Sequence, residues 1–372
     1  MKVSVLSSLI TKGLQLSNMA IDYINLKGYK SIRDTHIELK PINILIGANG
    51  SGKSNFISFF EFLHHLYDRK LQAYIGLRGG QEKFLHQGQP ISPDDTIGKQ
   101  IQFKISFNNA VNGYRVVLDE GDDSLVVSEE YLLHKKEGSE NIANFNKEAN
   151  IKTDDSYRKR YIISHLKSYR KYHFHGTGKN SPFNKTSHIE NDSYHLYSEG
   201  QNLAAFLFSI QQTTPKKYNR IVKTIQSIAP FFQDFYLEPN ANGYIRLQWQ
   251  SKTSPYLFGV NDLSDGTIRF IALTTLFLQP KLPSSIIIDE PELGLHPSAI
   301  AKLAGMVKSA SSRGAQIIMA TQSADLINHF NADDIITVDH INGSSTFKRL
   351  DEYSLGDLWQ RNIISAGHPN IQ

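Results

Sequence analysis

Gly47 to Ser54 reads GANGSGKS, which has the spacing G-x-x-x-x-G-K-[S/T]. Before it stands INILI (Ile42–Ile46), a continuous apolar run of the kind buried on both faces of a parallel sheet. After it comes KSNFISFFEFLHHLYDRK, whose apolar residues recur at helical spacing. Strand, glycine-rich loop and helix together let backbone N–H groups wrap a phosphate. The helix N-terminus adds about half a positive charge at the same place. Asn49, Gly50, Ser51 and Gly52 are the expected cradle, Lys53 the cation reaching the outer phosphates, and Ser54 the hydroxyl that ligates Mg2+. The competing reading is a glycine-rich turn with a chance Lys-Ser pair, and the flanking strand and helix weigh against it.

Far downstream, SIIIDEPELGLHP (Ser285–Pro297) delivers two carboxylates at the end of an apolar strand. Ligands of open parallel sheets bind at that edge. Asp289 is placed to hold Mg2+ and Glu290 to orient the attacking water, and a magnesium ion relieves the repulsion between the two acids. Between these motifs lies LSDGT (Leu263–Thr267), hydroxyls and bare backbone ahead of the helical stretch TIRFIALTTLFL. It reads both as a phosphate-binding turn and as a helix cap, with Ser264 or Asp265 at the N-cap.

Composition excludes several classes. There is no cysteine, so disulfides, thiolate metal sites and a cysteine nucleophile are out, and a cytoplasmic location fits. A net charge of +4 permits nucleic-acid contact without arguing for it. No apolar run reaches about eighteen residues, so no membrane span is expected. The opening MKVSVLSSLITKGLQLSN (1–18) is broken by Thr11, Lys12 and Gly13 and reads as a loose tail or a non-native start, with Met19 opening the first patterned strand.

Residues 20–26 and 35–40 alternate like two antiparallel strands around KGYKSIRD, and residues 100–135 read as a β-meander. Residues 136–200 are polar and mixed, and 201–228 helical. From Asp262 the pattern turns to α/β, with strands SSIIIDE, AQIIMATQS and DDIITVDH and a helix over Pro297–Ser312. The expected fold class is therefore α/β, a mixed sheet with flanking helices. One nucleotide-binding domain (19–95 and 256–372) is split by an insertion lobe (96–255).

Taken in order, the phosphate loop, LSDGT and IIIDEPELGLHP resemble the ATP-binding cassette (ABC) superfamily. They are most similar to its soluble branch of structural-maintenance-of-chromosomes (SMC), RecF and related "AAA-family predicted ATPase" heads, and LKGYKSIRD strengthens this. The resemblance covers 20–56 and 260–326. It implies ATP and Mg2+ as cofactors and an ATP-dependent homodimer paired head to tail. Ser264 and the Gly266 backbone of one copy then meet the γ-phosphate held by the other. It further implies that Lys30 approaches the phosphates, that the segment after Glu290 is a D-loop, and that Gln322 in ATQS holds the switch position. Many relatives carry His there. Gln can hydrogen-bond a phosphate or water but cannot take a proton, which implies slow hydrolysis. His296 stands where transporters usually have Asp. Gln81 and Gln87 are the candidates for the remaining conserved-type glutamine, the Q-loop.

No heptads mark coiled-coil arms. Within the insertion, Arg158, Lys159, Arg160, Lys167, Arg170 and Lys171 are interleaved with Tyr157, Tyr161, Tyr169, Tyr172 and Phe174. Basic groups with aromatic faces suit a nucleic-acid backbone, here DNA; core aromatics beside a solvated face are the competing reading. His173 and His175 suit a metal only with further ligands, and no zinc spacing accompanies them; HFH also recurs in the resembling branch, which favours a structural or nucleotide-proximal place. The functional expectations are a conformational-switch ATPase in DNA repair or phage defence, a DNA-binding RecF-type ATPase, or a regulatory subunit of a separate effector protein, since too few residues follow the switch strand for a fused nuclease. The long insertion and LSDGT disfavour a transporter motor.

Overall fold

The structure, a computed structural model, describes residues 21–88, 97–143, 145–152, 157–176, 178 and 180–351. The tail read at 1–18, the start at Met19 and the Arg158 side chain lie outside the described residues. Along the chain run β1 (Ile21–Tyr29), β2 (Ile32–Glu38), β3 (Ile42–Ile46), α1 (Lys53–Tyr67), α2 (Leu71–Leu77), β4 (Gln100–Phe107), β5 (Asn112–Glu120), β6 (Leu125–His134) and β7 (Gly138–Asn141). There follow α3 (Tyr157–Leu166), β8 (Lys171–Tyr172), β9 (Ser187–His188), α4 (Leu203–Thr213), α5 (Pro215–Gln226), β10 (Phe232–Tyr236), β11 (Tyr244–Ile245), β12 (Gln248–Ser251) and β13 (Ser254–Gly259). The last part holds α6 (Asp265–Leu278), β14 (Ser285–Asp289), α7 (Pro297–Ser312), β15 (Gln316–Ala320), α8 (Ala324–Ile327), β16 (Ile335–Ile341) and β17 (Ser344–Arg349).

Two six-stranded sheets organise these elements. One is antiparallel, in the order β2-β1-β4-β5-β6-β7. The other runs β17-β16-β3-β15-β14-β8, and all its strands but β17 are parallel. The central strands are apolar throughout because both faces are covered. Ile286, Ile288, Ile317 and Met319 enter a core shared with α4, α5, α6 and α7. Ile287, Ile318 and Ala320 point the other way, into a core shared with α1 and the antiparallel sheet. The period of two along each strand sorts these residues between the two cores.

The first hairpin is tighter than its sequence suggests: β1 and β2 run up to Tyr29 and from Ile32, leaving Lys30 and Ser31 as the turn, with Lys30 at φ 49°. The described residues between 97 and 255 are stitched into both sheets. The meander pairs with the N-terminal hairpin through Ile24↔Ile105, and β8, which had no periodic signal of its own, adds the edge of the parallel sheet beside β14. The helical stretch at 201–228 is two helices, parted where Thr214 precedes Pro215, as a proline that cannot continue a helix requires.

Within the meander, Glu130 is fully buried. Its carboxylate accepts from Tyr114 Oη at 2.7 Å and from the backbone N–H of Asn150 and Ile151 at 2.7 and 2.9 Å. Burial, only partly offset by those bonds, raises its pKa above the ordinary carboxylate value. The unfolded chain, with the ordinary value, binds fewer protons between the two pKa values, so Glu130 stabilises the fold as pH falls through that window. We expect the unfolding free energy of the wild type, measured against Glu130→Gln, to increase as the pH is lowered from 7 to 5 in urea denaturation. A difference independent of pH would contradict the assignment.

Candidate active site

β3, β15, β14 and β8 are parallel, so their carboxyl ends converge on one edge. The phosphate loop leaves β3 there and ends at α1. Gly52 is the N-cap, at φ 111°. A Cβ on it would lie 2.0 Å from Ser345 Oγ, so only glycine fits. Ser345 in β17 hydrogen-bonds Ser51 O at 2.6 Å and Ser31 Oγ at 2.7 Å, and Asn55 Nδ2 donates to Ser31 Oγ at 2.7 Å. This serine clamp behind the loop had no motif to reveal it. Lys53 is buried, and its Nζ donates to Gly47 O and Ala48 O at 2.7 and 2.9 Å. Burial lowers its pKa, opposed by the Glu290 and Asp289 carboxylates. Asn49, Gly50 and Ser54 are exposed.

Glu290 follows β14 at φ 45°, a left-handed conformation that few non-glycine residues adopt. Its N–H donates to Ala320 O at 2.8 Å, and its carboxylate accepts from Gln322 Nε2 at 2.8 Å. The two residues read as water-orienting acid and switch are thus in direct contact. Glu292, unmarked in the sequence reading, ties the same loop to the switch by accepting from Thr321 Oγ1 and, at 3.3 Å, from Gln322 N. Burial raises its pKa.

Asp289 Oδ1 is buried without a hydrogen-bond partner among the described residues, and Lys171 Nζ lies 3.6 Å from Oδ2. An acceptor left open in this way suits a cation. One carboxylate, the Ser54 hydroxyl and phosphate oxygens form the hard donor set that Mg2+ takes. Among the described residues no group of three or more His, Cys, Asp and Glu is gathered as a metal site. The His173 and His175 rings lie 4.2 Å apart, tilted by 36°, and the Asp289 carbonyl accepts from His175 Nε2 at 3.0 Å. The HFH segment therefore lies beside the acid pair.

Ser264 is the exposed N-cap of α6, and its Oγ accepts from Thr267 N at 3.3 Å. Gly266 has a reason inside the chain: a Cβ there would meet Gly294 O at 2.2 Å. The signature turn thus packs on the loop after the acid pair. Buried Arg269, one turn on, donates through Nε to Phe174 O at 3.0 Å. His296 caps α7 by accepting from Ser298 N at 3.3 Å.

Lys30 Nζ donates to Ser58 Oγ at 2.9 Å and sits over the Tyr29 and Phe84 rings, and burial lowers its pKa to about 8. Gln81 Nε2 donates to Gly121 O at 2.9 Å in the meander, whereas Gln87 lines a groove with Lys30, Ser31 and Asn55. The basic segment forms no single face. Lys159 is buried, Arg160 and Lys167 are exposed, and Arg170 and Lys171 line a cleft. Tyr169, Tyr172 and Phe174 are in the core, as the competing reading held.

The strand ends and what they carry define the class: an ATPase head of the P-loop, ABC-like kind. Residues 42–328 match the family described as "AAA domain, putative AbiEii toxin, Type IV TA system", and the chain belongs to it. It is similar to the Old nuclease of Escherichia phage P2, with 28% identity over 169 residues that cover 42% of this chain and 29% of that protein. It thus spans less than a third of that relative's length. In fold it is similar to the Smc head bound to the C-winged helix domain of ScpA, with 18% identity, TM-score 0.57, and 91% of this chain and 99% of that one covered. It is also similar to the Smc head domain with an extended coiled coil bound to the C-terminal domain of ScpA derived from Pyrococcus furiosus, with 17% identity, TM-score 0.52, and 91% and 98% covered. The chain is an AAA-type ATPase with an SMC-head fold. No helix among the described residues is long and apolar enough to cross a membrane.

The Gly266–Gly294 approach yields a prediction. Gly266→Ala must push α6 off the loop after Glu290, at a cost of about 1–3 kcal/mol. We expect a lowered melting temperature together with reduced ATP hydrolysis. Wild-type melting and turnover in this variant would show that the approach does not constrain the site.

Proposed function

We propose that ATP joins two copies of this chain and that hydrolysis parts them. The cradle of Asn49, Gly50, Ser51 and Gly52, with Lys53, binds the phosphates of one nucleotide. Ser54 and Asp289 would hold Mg2+, which when bound supplies charge neutralisation at the phosphates. Glu290 orients the attacking water, and Gln322 holds the Glu290 carboxylate in place. Ser264 and the Gly266 backbone of the second copy complete the site at the γ-phosphate. The observation that carries this reading is the position of Ser264: solvent-facing at a helix N-terminus, yet on a turn packed against Gly294, four residues after the water-orienting acid. A contact made there by a second copy would be felt directly by the catalytic loop.

The energies are sufficient in scale. Moving such an equilibrium from 1:99 to 99:1 takes about 5.5 kcal/mol. Charge-assisted hydrogen bonds of about 1.5–3 kcal/mol each, made twice across a symmetric pair, reach that figure. For the biological setting we propose phage defence, with the ATPase controlling a separate effector protein in the cytoplasm. The family description and the relative from phage P2 support this over a RecF-type role in DNA repair. DNA-stimulated hydrolysis with salt-dependent DNA binding would favour the RecF-type role instead.

Glu290→Gln keeps the nucleotide site but removes the water-orienting carboxylate. We expect it to bind ATP, hydrolyse it poorly and accumulate as a dimer in light scattering after size exclusion. A variant that remains monomeric at saturating ATP and Mg2+ would sink the dimer proposal.

A further inference from the structure

A cleft of about 680 Å³ opens at the edge of the parallel sheet, between the C-terminal half of α1, the start of β8 and the segment 195–201. Its size suits a nucleotide-sized ligand, since such sites commonly enclose about 300–1,000 Å³. Two cations side by side in sequence enter it. Arg170 makes no hydrogen bond or ion pair among the described residues. Lys171 reaches across to Asp289 Oδ2 at 3.6 Å. On the opposite wall Arg78 is paired with Glu61 at 2.9 Å, and Glu199 is the lining's other carboxylate, so Arg170 is the cation left to face a ligand, with Lys171 shared between the cleft and Asp289. A guanidinium without a partner presents a planar fork matched to phosphate oxygens.

The lining also carries buried polar atoms with no partner: Nδ1 of His64 and of His65, and Oε1 of Gln201. Buried polar groups are ordinarily paired, and an unpaired one calls for an occupant. The Gln201 oxygen accepts only, so it suits a donor such as a base amide or a sugar hydroxyl. Cations on one side and an acceptor on the other describe a nucleotide with a terminal phosphate.

We propose that this cleft binds a 5′-phosphorylated nucleotide, free or at the end of a strand, and that Lys171 relays its occupancy to Asp289. A phosphate drawing Lys171 into the cleft frees the Asp289 carboxylate for the cation of the ATP site, and hydrolysis speeds up. The relay rests on the proposed role of Asp289; binding in the cleft does not.

The test uses the full chain without ADP or ATP, and a fluorescein-labelled thymidylate hexamer carrying a 5′-phosphate as probe. We expect binding that weakens about tenfold when the 5′-phosphate is removed, the size of one charge-assisted hydrogen bond. Arg170→Ala should cost a similar factor, and Lys216→Ala, an exposed lysine on α5, should cost nothing. Displacement by dTMP assigns free nucleotide as the ligand; persistence against dTMP assigns a strand end. Equal binding of both strands, a loss from Lys53→Ala as large as that from Arg170→Ala, or equal losses from Arg170→Ala and Lys216→Ala would overturn the site. For the relay, the probe should raise the ATPase rate of the wild type and leave Lys171→Met unmoved; an equal response from both overturns it. A chain that fails to bind ADP but still binds the probe through Arg170 would refute the nucleotide site and leave the cleft standing.

Discussion

Ile286, Ile287 and Ile288 have only two places to go, the opposite cores on either side of the parallel sheet, and the chemistry at the end of β14 follows from that confinement. Each such burial contributes about 1.5–3 kcal/mol, whereas an unpaired carboxylate resists burial far more strongly. The strand therefore ends at Asp289, and Glu290 lies just beyond it. Because both faces are apolar, alternation alone cannot set the register of these strands. Buried amides do so at their other end. Gln316 accepts from Ile21 N and donates to Ile21 O, both at 2.9 Å, and Asn43 Nδ2 donates to Ile317 O at 3.1 Å. A slip of one residue would strand these groups without partners, at a cost of about 1–3 kcal/mol each. Polar anchors at one edge thus position the acids at the other.

Around the acid pair the contacts form one connected set. Gln322 holds Glu290, and Glu292 holds Thr321 and Gln322. The start of α6 rests on Gly294, and Arg269 fastens the same helix to the carbonyl of Phe174 in the HFH segment. His175 returns to the Asp289 backbone. A displacement of α6 therefore reaches the acid pair by two routes, through the loop that follows it and through the segment beside it. Energetic coupling needs such a contiguous element with two arrangements.

Much of this was legible in local spacing. GANGSGKS reads as a phosphate loop because strand, glycines and helix are consecutive, and SIIIDE reads as a strand with acids at its end because burial leaves an unbroken apolar run. Other features had no local trace. Ser345 reaches the loop from the far end of the described chain, and β8 is too short to show a period. The aromatics between the basic residues looked equally suited to stacking on bases and to filling a core; Tyr169, Tyr172 and Phe174 fill the core. Gly266 was read for its approach to a partner's phosphate, while its nearest constraint is the chain's own Gly294 carbonyl.

The nucleotide-binding elements, their order and the apolar strands that carry them are written locally in the chain, because backbone conformation, glycine placement and burial patterning act over a few residues. Tertiary structure alone decided which separated segments meet: Lys171 with Asp289, Gln322 with Glu290, Ser345 with the phosphate loop, α6 with Gly294. Those meetings depend on how two sheets and their helices pack, and packing distances between residues hundreds of positions apart leave no periodic mark in the chain.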